Sequence, residues 1–374
     1  MNRHLHIICF SVPWPVDYGG AFDLFYKLPA LKALGVHIHL HCFDYGRSRQ
    51  PVLEQYCASV QYYERLMGHT SIRNRLPYIV SSRRNEILLQ NLLQDDYPIL
   101  MEGIHCTWLL NDDRFRNRKC FVRLHNVEYK YYRELSSHTP LSFKKLYYLV
   151  ENRLLRAYEK RIARKAVFFA VTEQDADTYR NEMGCTNISY LPVFLPAWEV
   201  SRPEGIGSYC LYHGDLSIDA NEKAAIWLLT QVFNKIPVPF IIAGKHPSRQ
   251  LASFINKYPH AQLMPNPPDE QMQELISGAQ VHVLPSYTAT GIKLKLLNVL
   301  FHGRHCIVSP ATAEGSGLEA ACHIAATANA YRELVAQLYH MPFTEEEIIL
   351  RKQLLTGRFD HARNAEVLVK KIWS

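Results

Sequence analysis

No apolar run in the 374-residue chain approaches the roughly 20 residues that span a bilayer. The opening MNRHLHIICFSVPWP carries too short an apolar core for a secretory signal. The expected location is the cytoplasm, with the inner membrane face as the place of any surface attachment. No C-x-x-C pair occurs among the nine cysteines, an odd number dispersed through apolar stretches such as Cys9, Cys42, Cys210 and Cys306. Reduced, buried thiols fit that pattern better than disulfides or a zinc site. There is no G-x-G-x-x-G and no phosphate-loop lysine, which argues against NAD binding and ATP hydrolysis. There is no G-x-S-x-G elbow for a serine hydrolase.

Against these absences stands ample core material: 48% of residues are hydrophobic and only 21% charged, a globular and not a disordered composition. At roughly 150 residues per domain, the length points to two domains. The net charge of +7 is uneven. All of the excess lies before Trp198, and residues 114–165 alone carry 15 basic against 4 acidic side chains. Such a field favours an anionic partner: nucleic acid, a phosphorylated ligand or an anionic membrane surface. Nucleic acid is the weakest of these, because no recognition motif accompanies the charge.

Periodicity gives strands at residues 4–12, 36–43, 99–102, 121–124 and 166–171, with helices at 21–34, 83–93, 143–164 and 173–183. The segment 191–206, LPVFLPAWEVSRPEGI, has three prolines, one glycine and no sustained period, and reads as a linker. Alternation then resumes: strands at 209–213, 240–243, 261–264, 281–285 and 306–309, helices at 221–235, 247–257, 269–278 and 292–302. The fold class is α/β, with two Rossmann-like, doubly wound domains facing a cleft. The expected organisation is a first domain at 1–195, a linker at 196–206, a second domain at 207–357, and a last helix at 358–374.

Ligands of open parallel sheets bind beyond the carboxyl ends of the strands. In the second half those ends carry Gly214-Asp215, then Gly244-Lys245-His246, then a small-residue loop from Ser286 to Gly291 followed by Lys293 and Lys295, then Glu314-Gly315. Lysine in the first turn of a helix opposes the macrodipole at a cost of a few tenths to about 1 kcal/mol. Two there make sense if an anion such as a pyrophosphate is held by both ammonium groups and the loop amides; spacing alone equally allows two solvated surface lysines. Gly214-Asp215 in isolation reads as a tight turn near a helix cap. In the first half, Gly19 and Gly20 would let a ligand approach the first helix, and His125 ends a strand where it could exchange a proton, or be structural. His37, His39 and His41 alternate on one face of a strand; without a carboxylate between them they read as a solvated or helix-covered surface.

Several of these segments together resemble the group 1 glycosyltransferases (family 4). The acceptor-side resemblance is carried by Pro13-x-Pro15-x-Asp17-x-Gly19-Gly20, by Leu124-His125-Asn126-Val127-Glu128, and by Glu151, Arg156, Glu159 and Val171-Thr-Glu-Gln-Asp-Ala176. The donor-side resemblance is carried by Tyr212-His-Gly-Asp-Leu-x4-Asn221 and by Gly291-Ile-Lys-Leu-Lys-Leu-Leu-Asn298. The resemblance implies a GT-B fold, a nucleotide sugar held mainly by the second domain, an acceptor held mainly by the first, and retaining transfer with no metal or other cofactor. It implies a last helix crossing back to the first domain. Lys293 and Lys295 match positions that hold the donor diphosphate, Gly19 and Gly20 the glycine loop near that phosphate, and His125 the histidine near the donor sugar. Gly214, Asp215, Lys245, Thr290, Gly291, Asn298 and Glu314 complete the expected donor site.

Two positions depart from the family. Asn298 stands where glutamate commonly binds the ribose, and Thr290 stands where the earlier acidic residue of an E-x7-E pattern is expected. An amide accepts a hydrogen bond less strongly than a carboxylate. The resemblance implies, as the expected activity, transfer of a sugar from a nucleotide sugar to a glycan or lipid-linked acceptor, in surface polysaccharide or glycoconjugate synthesis. The alternative is a weak or inactive transferase-like subunit that binds nucleotide sugar beside a partner enzyme; a nucleotide-sugar epimerase of similar fold would need the same ligand. Finally, Arg153, Arg156, Lys160 and Arg164 share one face of the helix at 143–165, with Leu146, Val150, Leu154, Tyr158 and Ile162 expected to point inward. That basic face is either a solvated surface or a seat on anionic lipid.

Overall fold

The computed structural model describes residues 3–16, 19–68, 75–201 and 205–374. Its contacts divide the chain into two compact units: Met1–Ala197 with Thr290–Ile292 and Phe359–Ser374, and Trp198–Ala289 with Lys293–Arg358. Asp17, Tyr18 and linker residues 202–204 lie outside the described residues.

The first unit runs β1 (Arg3–Cys9), α1 (Gly19–Ala33), β2 (Val36–Asp44), β3 (Ser59–Glu64), α2 (Tyr78–Ser81), α3 (Glu86–Leu92), β4 (Ile99–Glu102), β5 (Cys120–Leu124), α4 (Glu128–Ser137), α5 (Phe143–Ile162), β6 (Val167–Ala170), α6 (Glu173–Met183) and β7 (Ile188–Tyr190). The seven strands are parallel in the order β3-β2-β1-β4-β5-β6-β7. Alternation along each strand separates two cores. Ile8, Met101, Val122 and Phe168 pack against Leu88, Leu155 and Tyr179 on one face. Leu5, Ile7, Ile38, Leu100 and Phe121 pack against Leu24, Leu28 and Leu31 on the other. Helix ends follow local chemistry: Ser142 caps α5, Thr172 caps α6, and Gly184 closes α6 in the left-handed region at φ +67°.

The second unit runs β8 (Cys210–His213), α7 (Asp219–Trp227), β9 (Phe240–Gly244), α8 (Arg249–Ile255), β10 (Ala261–Pro265), α9 (Asp269–Gly278), β11 (Val281–Leu284), α10 (Leu294–His302), β12 (His305–Val308), α11 (Pro310–Ala313), β13 (His323–Ile324), α12 (Ala328–Leu338) and α13 (Glu345–Leu355). Its six parallel strands are ordered β10-β9-β8-β11-β12-β13. The central strands are buried on both faces, as parallel strands flanked by helices must be. The final helix α14 (His361–Trp373) belongs to the first unit, where Ala365, Leu368, Val369 and Ile372 join the core that contains Leu24 and Leu28.

Several sequence expectations need correction. The short edge strands β3, β7 and β13 are absent from the periodicity reading, since two to six half-exposed residues carry too little pattern to register. The helix expected at 221–235 ends at Trp227 and continues as a π-helical turn over Leu228–Val232. There the Thr230 hydroxyl donates to the carbonyls of Ile226 and Trp227 and competes with the regular ladder. In α5 the buried stripe is Glu151, Leu155, Tyr158, Glu159 and Ile162, whereas Leu146 and Val150 are exposed. Glu151 takes an inward place because it accepts from the Tyr78 N–H; Glu159 does so because it accepts from the amides of Glu128 and Tyr129 and from the Tyr179 hydroxyl.

The alternating histidines of β2 do share a face, together with His4 and His6 of β1. His39 pairs with His4 at 3.0 Å and His41 with His6 at 2.9 Å, while His6 faces the Asp95 carboxylate at 3.0 Å. Burial, then the neighbouring His6 and His39, pulls His41 down to about 3, so it is neutral at physiological pH. His37 remains exposed.

Leu368 is fully buried in the core shared by α14 and α1. Leu368→Ala should cost about 2–5 kcal/mol in urea unfolding of the first unit, the usual penalty for a core cavity. The exposed neighbour change Val367→Ala should stay within about 0.5 kcal/mol.

Candidate active site

In the first unit a chain of buried charges lies at the carboxyl ends of β4 and β5. Lys27 on α1 donates to Asp23 at 3.1 Å and to Glu102 at 2.5 Å. Arg123 on β5 holds Asp23 with two nitrogens, at 2.8 and 2.9 Å. It also donates to the carbonyls of Leu191 and Pro192, while Asp23 accepts from the Phe194 N–H. Burial alone would raise the Asp23 carboxyl, but Arg123 first and Lys27 next hold it well below the usual range.

His125, just past β5, points Nε2 at the second oxygen of Glu102, 2.9 Å away. A carboxylate only accepts, so Nε2 donates to Glu102, and Nδ1 is the acceptor of the neutral ring. The Phe10 ring meets the imidazole edge-on at 5.5 Å and limits its rotation. Asp23, Glu102 and His125 are close enough to hold a metal ion, yet both carboxylates already face the cations of Lys27 and Arg123, so this set is built for ion pairing. Asp23, Lys27, Glu102 and Arg123 were not singled out by sequence reasoning. The signal that could have found them is a charged residue at a strand end, in Ile-Leu-Met-Glu102 and in Phe-Val-Arg123-Leu.

Gly19 and Gly20 are the first two residues of α1. Glu128, which opens α4, is pushed up to about 8 by burial and then by Glu159, and so keeps its proton at neutral pH.

In the second unit, Gly214 and Asp215 follow β8, Lys245 follows β9, Lys293 and Lys295 follow β11, and Glu314 follows α11 after β12. Sheet order makes these strands neighbours. The residues therefore collect along one end of one sheet. Asp215 behaves as a turn residue, its carboxylate accepting from the N–H and hydroxyl of Ser217. A Cβ on Gly244 would stand 1.8 Å from the Gly214 carbonyl, so the approach of the first two loops demands glycine. The β11 loop is braced by the next one: Ser309 accepts from the Ser286 N–H and donates to its carbonyl, and Thr312 donates to Leu284. Gly291 turns this loop at φ +67°.

The helix expected at 292 begins at Leu294, which makes Lys293 its N-cap residue and Lys295 its second residue. Lys293 donates to the Thr288 hydroxyl at 3.2 Å. Lys295 lies over the Tyr212 ring, 5.1 Å from its centroid. Burial, then the neighbouring Lys293, draws its ammonium down to about 8. Burial and the same Lys295 charge bring His213 to about 3. Asn298, expected at a ribose, has its side-chain oxygen 2.9 Å from Nδ1 of His302, one helical turn on. Glu314 is exposed. Thr290 is buried, and Thr290–Ile292 group with the first unit, as do His125, Gly19 and Gly20.

A cation held below its ordinary value by burial and a like charge is poised to take up a proton when an anion arrives. Binding of a nucleoside diphosphate at pH 8–9 should draw protons from solution, and calorimetry in buffers of different ionisation heat should detect this. The uptake should fade toward pH 6, where Lys295 is already charged. It should vanish in Lys295→Met, and binding should be lost in Lys293→Ala/Lys295→Ala.

The family described as "Glycosyl transferases group 1" matches residues 207–340, the span that contains these loops. An uncharacterized 44.6 kDa protein in the cps region of Klebsiella pneumoniae is 25% identical over 333 residues, covering 83% of this chain and 84% of that protein. The sucrose-phosphate synthase of Thermosynechococcus elongatus superposes with a TM-score of 0.70 at 14% identity, covering 99% of this chain and 98% of its own. WaaG, a glycosyltransferase involved in lipopolysaccharide biosynthesis, superposes with a TM-score of 0.65 at 12% identity, covering 98% and 99%. The family match across the cationic loop-to-helix junction after β11 makes the second unit similar to the group 1 glycosyltransferases, and the two doubly wound parallel sheets are those of the GT-B glycosyltransferase structures on which the chain superposes.

Proposed function

We propose that the enzyme moves a sugar from a nucleotide-diphosphate sugar to a glycan or lipid-linked acceptor, with retention and without a metal, in the assembly of surface polysaccharide. The observation that carries this reading is the pair Lys293 and Lys295 at the opening of α10, with Lys295 depressed to about 8. Cleavage of a glycosyl–phosphate bond develops negative charge on the departing diphosphate and positive charge on the sugar ring. Cations and amides fixed around the diphosphate stabilise that state without having to reorganise. Lys295 is mostly the ammonium at neutral pH, and its attraction strengthens as negative charge builds beside it, so its contribution grows along the reaction. His125, oriented by Glu102, supplies an acceptor nitrogen for a sugar or acceptor hydroxyl. Retention follows if the acceptor attacks from the face the diphosphate leaves. The Klebsiella relative's place in a cps region and the lipopolysaccharide role in WaaG's description support a polysaccharide acceptor.

Incubation with a panel of UDP-, GDP-, CMP- and ADP-sugars plus acceptor, with nucleotide release measured, tests the proposal. Release should occur with one donor class, survive EDTA, and give a product of unchanged anomeric configuration by NMR. Lys295→Met should slow turnover by about 10²–10³-fold, the usual loss when one charge-stabilising donor is removed. A donor that binds without turnover would overturn this in favour of the assisting-subunit reading, which the departures at Thr290 and Asn298 motivate.

A lipid-linked acceptor requires a seat on the membrane, and the start of α5 supplies a candidate. No helix among the described residues is long and apolar enough to cross a membrane. Leu141, Phe143, Leu146, Tyr147, Leu149 and Val150 are nevertheless all exposed, beside Lys144, Arg153, Arg156 and Lys160. Apolar side chains bracketed by cations fit an anionic interface, where each basic residue contributes about 1 kcal/mol. Co-sedimentation with anionic liposomes should weaken as salt rises and fall when Arg153, Arg156 and Lys160 become glutamine or Phe143 becomes serine. Equal recovery of parent and variants would leave a solvated face.

A further inference from the structure

We propose that His305, His323 and Glu347 form a binding site for one divalent ion of the zinc class, at the end of the second sheet opposite the donor loops. The three side chains belong to different elements, the first residue of β12, the first of β13 and the first turn of α13, and their ligand atoms lie within 4.8 Å of one another. The inference does not depend on the transfer reaction.

The proton positions carry the argument. His305 Nε2 faces the Met341 carbonyl at 3.1 Å. A carbonyl only accepts, so Nε2 bears a hydrogen, and Nδ1 is the nitrogen that presents a lone pair in the neutral ring. That Nδ1 is buried and has no hydrogen-bond partner among the described residues. What it faces, 3.1 Å away, is Oε1 of Glu347. With the neutral ring, the Nδ1 lone pair and the partly exposed Glu347 oxygen converge on the place a single cation would take. Bonds of about 2.0–2.1 Å to a tetrahedral zinc place neighbouring ligand atoms roughly 3.3 Å apart, close to the observed separation.

The outer contacts also match a metal centre. A ligating imidazole ordinarily donates its other N–H to a carbonyl, as His305 does to Met341. The carbonyl is itself fixed by the Gln280 amide at 2.6 Å. The second oxygen of Glu347 accepts from the Thr344 N–H at 3.0 Å in a capping box, which aims the first oxygen at His305. Arg351 is turned to the carbonyls of Gly303 and Arg304 and offers no lone pair. Its charge lowers the affinity without competing for the ligands. Two nitrogens and one carboxylate leave a fourth position for water, and this mixed set suits zinc better than magnesium or calcium. The ion would tie the two outermost strands of the sheet to α13.

The test is calorimetric titration of the chelator-treated full chain with Zn²⁺, with Co²⁺ absorption as a probe of tetrahedral geometry. The parent should bind one equivalent that raises its melting temperature. Glu347→Gln, which keeps an acceptor for the Thr344 N–H, and His323→Gln, on a two-residue edge strand, should each weaken that equivalent by about tenfold or more while circular dichroism is unchanged. Loss of zinc uptake by the parent, or equal uptake by parent and both variants, would overturn the proposal and leave an imidazolium–carboxylate ion pair.

Discussion

The first unit depends on one buried interaction, the run of charges from Arg123 through Asp23 and Lys27 to Glu102 and His125. Removing four charged groups from water is expensive, and the attraction among them returns that energy only because every one is met at hydrogen-bond distance. The return is geometric as much as energetic. Asp23 and Lys27 fix α1 against the sheet, Arg123 fixes the chain at Leu191 and Pro192 as it leaves the last strand, and Glu102 fixes the imidazole. In this cluster the His125 ring, the one member not fully buried, has been positioned by everything beneath it.

In the second unit two lysines, Lys293 and Lys295, oppose the dipole of the helix they open. The cost is borne by a loop that is rigid for other reasons: Ser286, Ser309 and Thr312 interlock two strand-end loops, and Gly244 permits the contact of two more. On the function proposed above, such a rigid cationic junction suits an anionic donor.

In α5 the two demands meet on one helix. Its inward face spends two positions on Glu151 and Glu159, both pushed up to about 7 by burial, because those carboxylates satisfy amides at the starts of α2 and α4. The apolar residues displaced from that face, Leu146 and Val150 among them, stand in solvent. A helix wheel places Leu inward by default, and only knowledge of which distant N–H groups need an acceptor reverses the assignment.

The amino-acid sequence by itself determined the α/β alternation, the parallel sheets and the loops at which donor chemistry would be sought, because strand and helix periods, glycine turns and paired lysines are local signals. It was enough to place Lys293, Lys295 and His125 at strand ends. It could not show that Lys295 is depressed, that Asn298 spends its oxygen on His302, or that Glu102 orients His125, since each depends on a neighbour one turn to scores of residues away in the chain. Nor could it bring His305, His323 and Glu347 together from a strand, an edge strand and a helix start. Long-range pairing and burial decide what a charged side chain does, and both exist only once the chain has closed on itself.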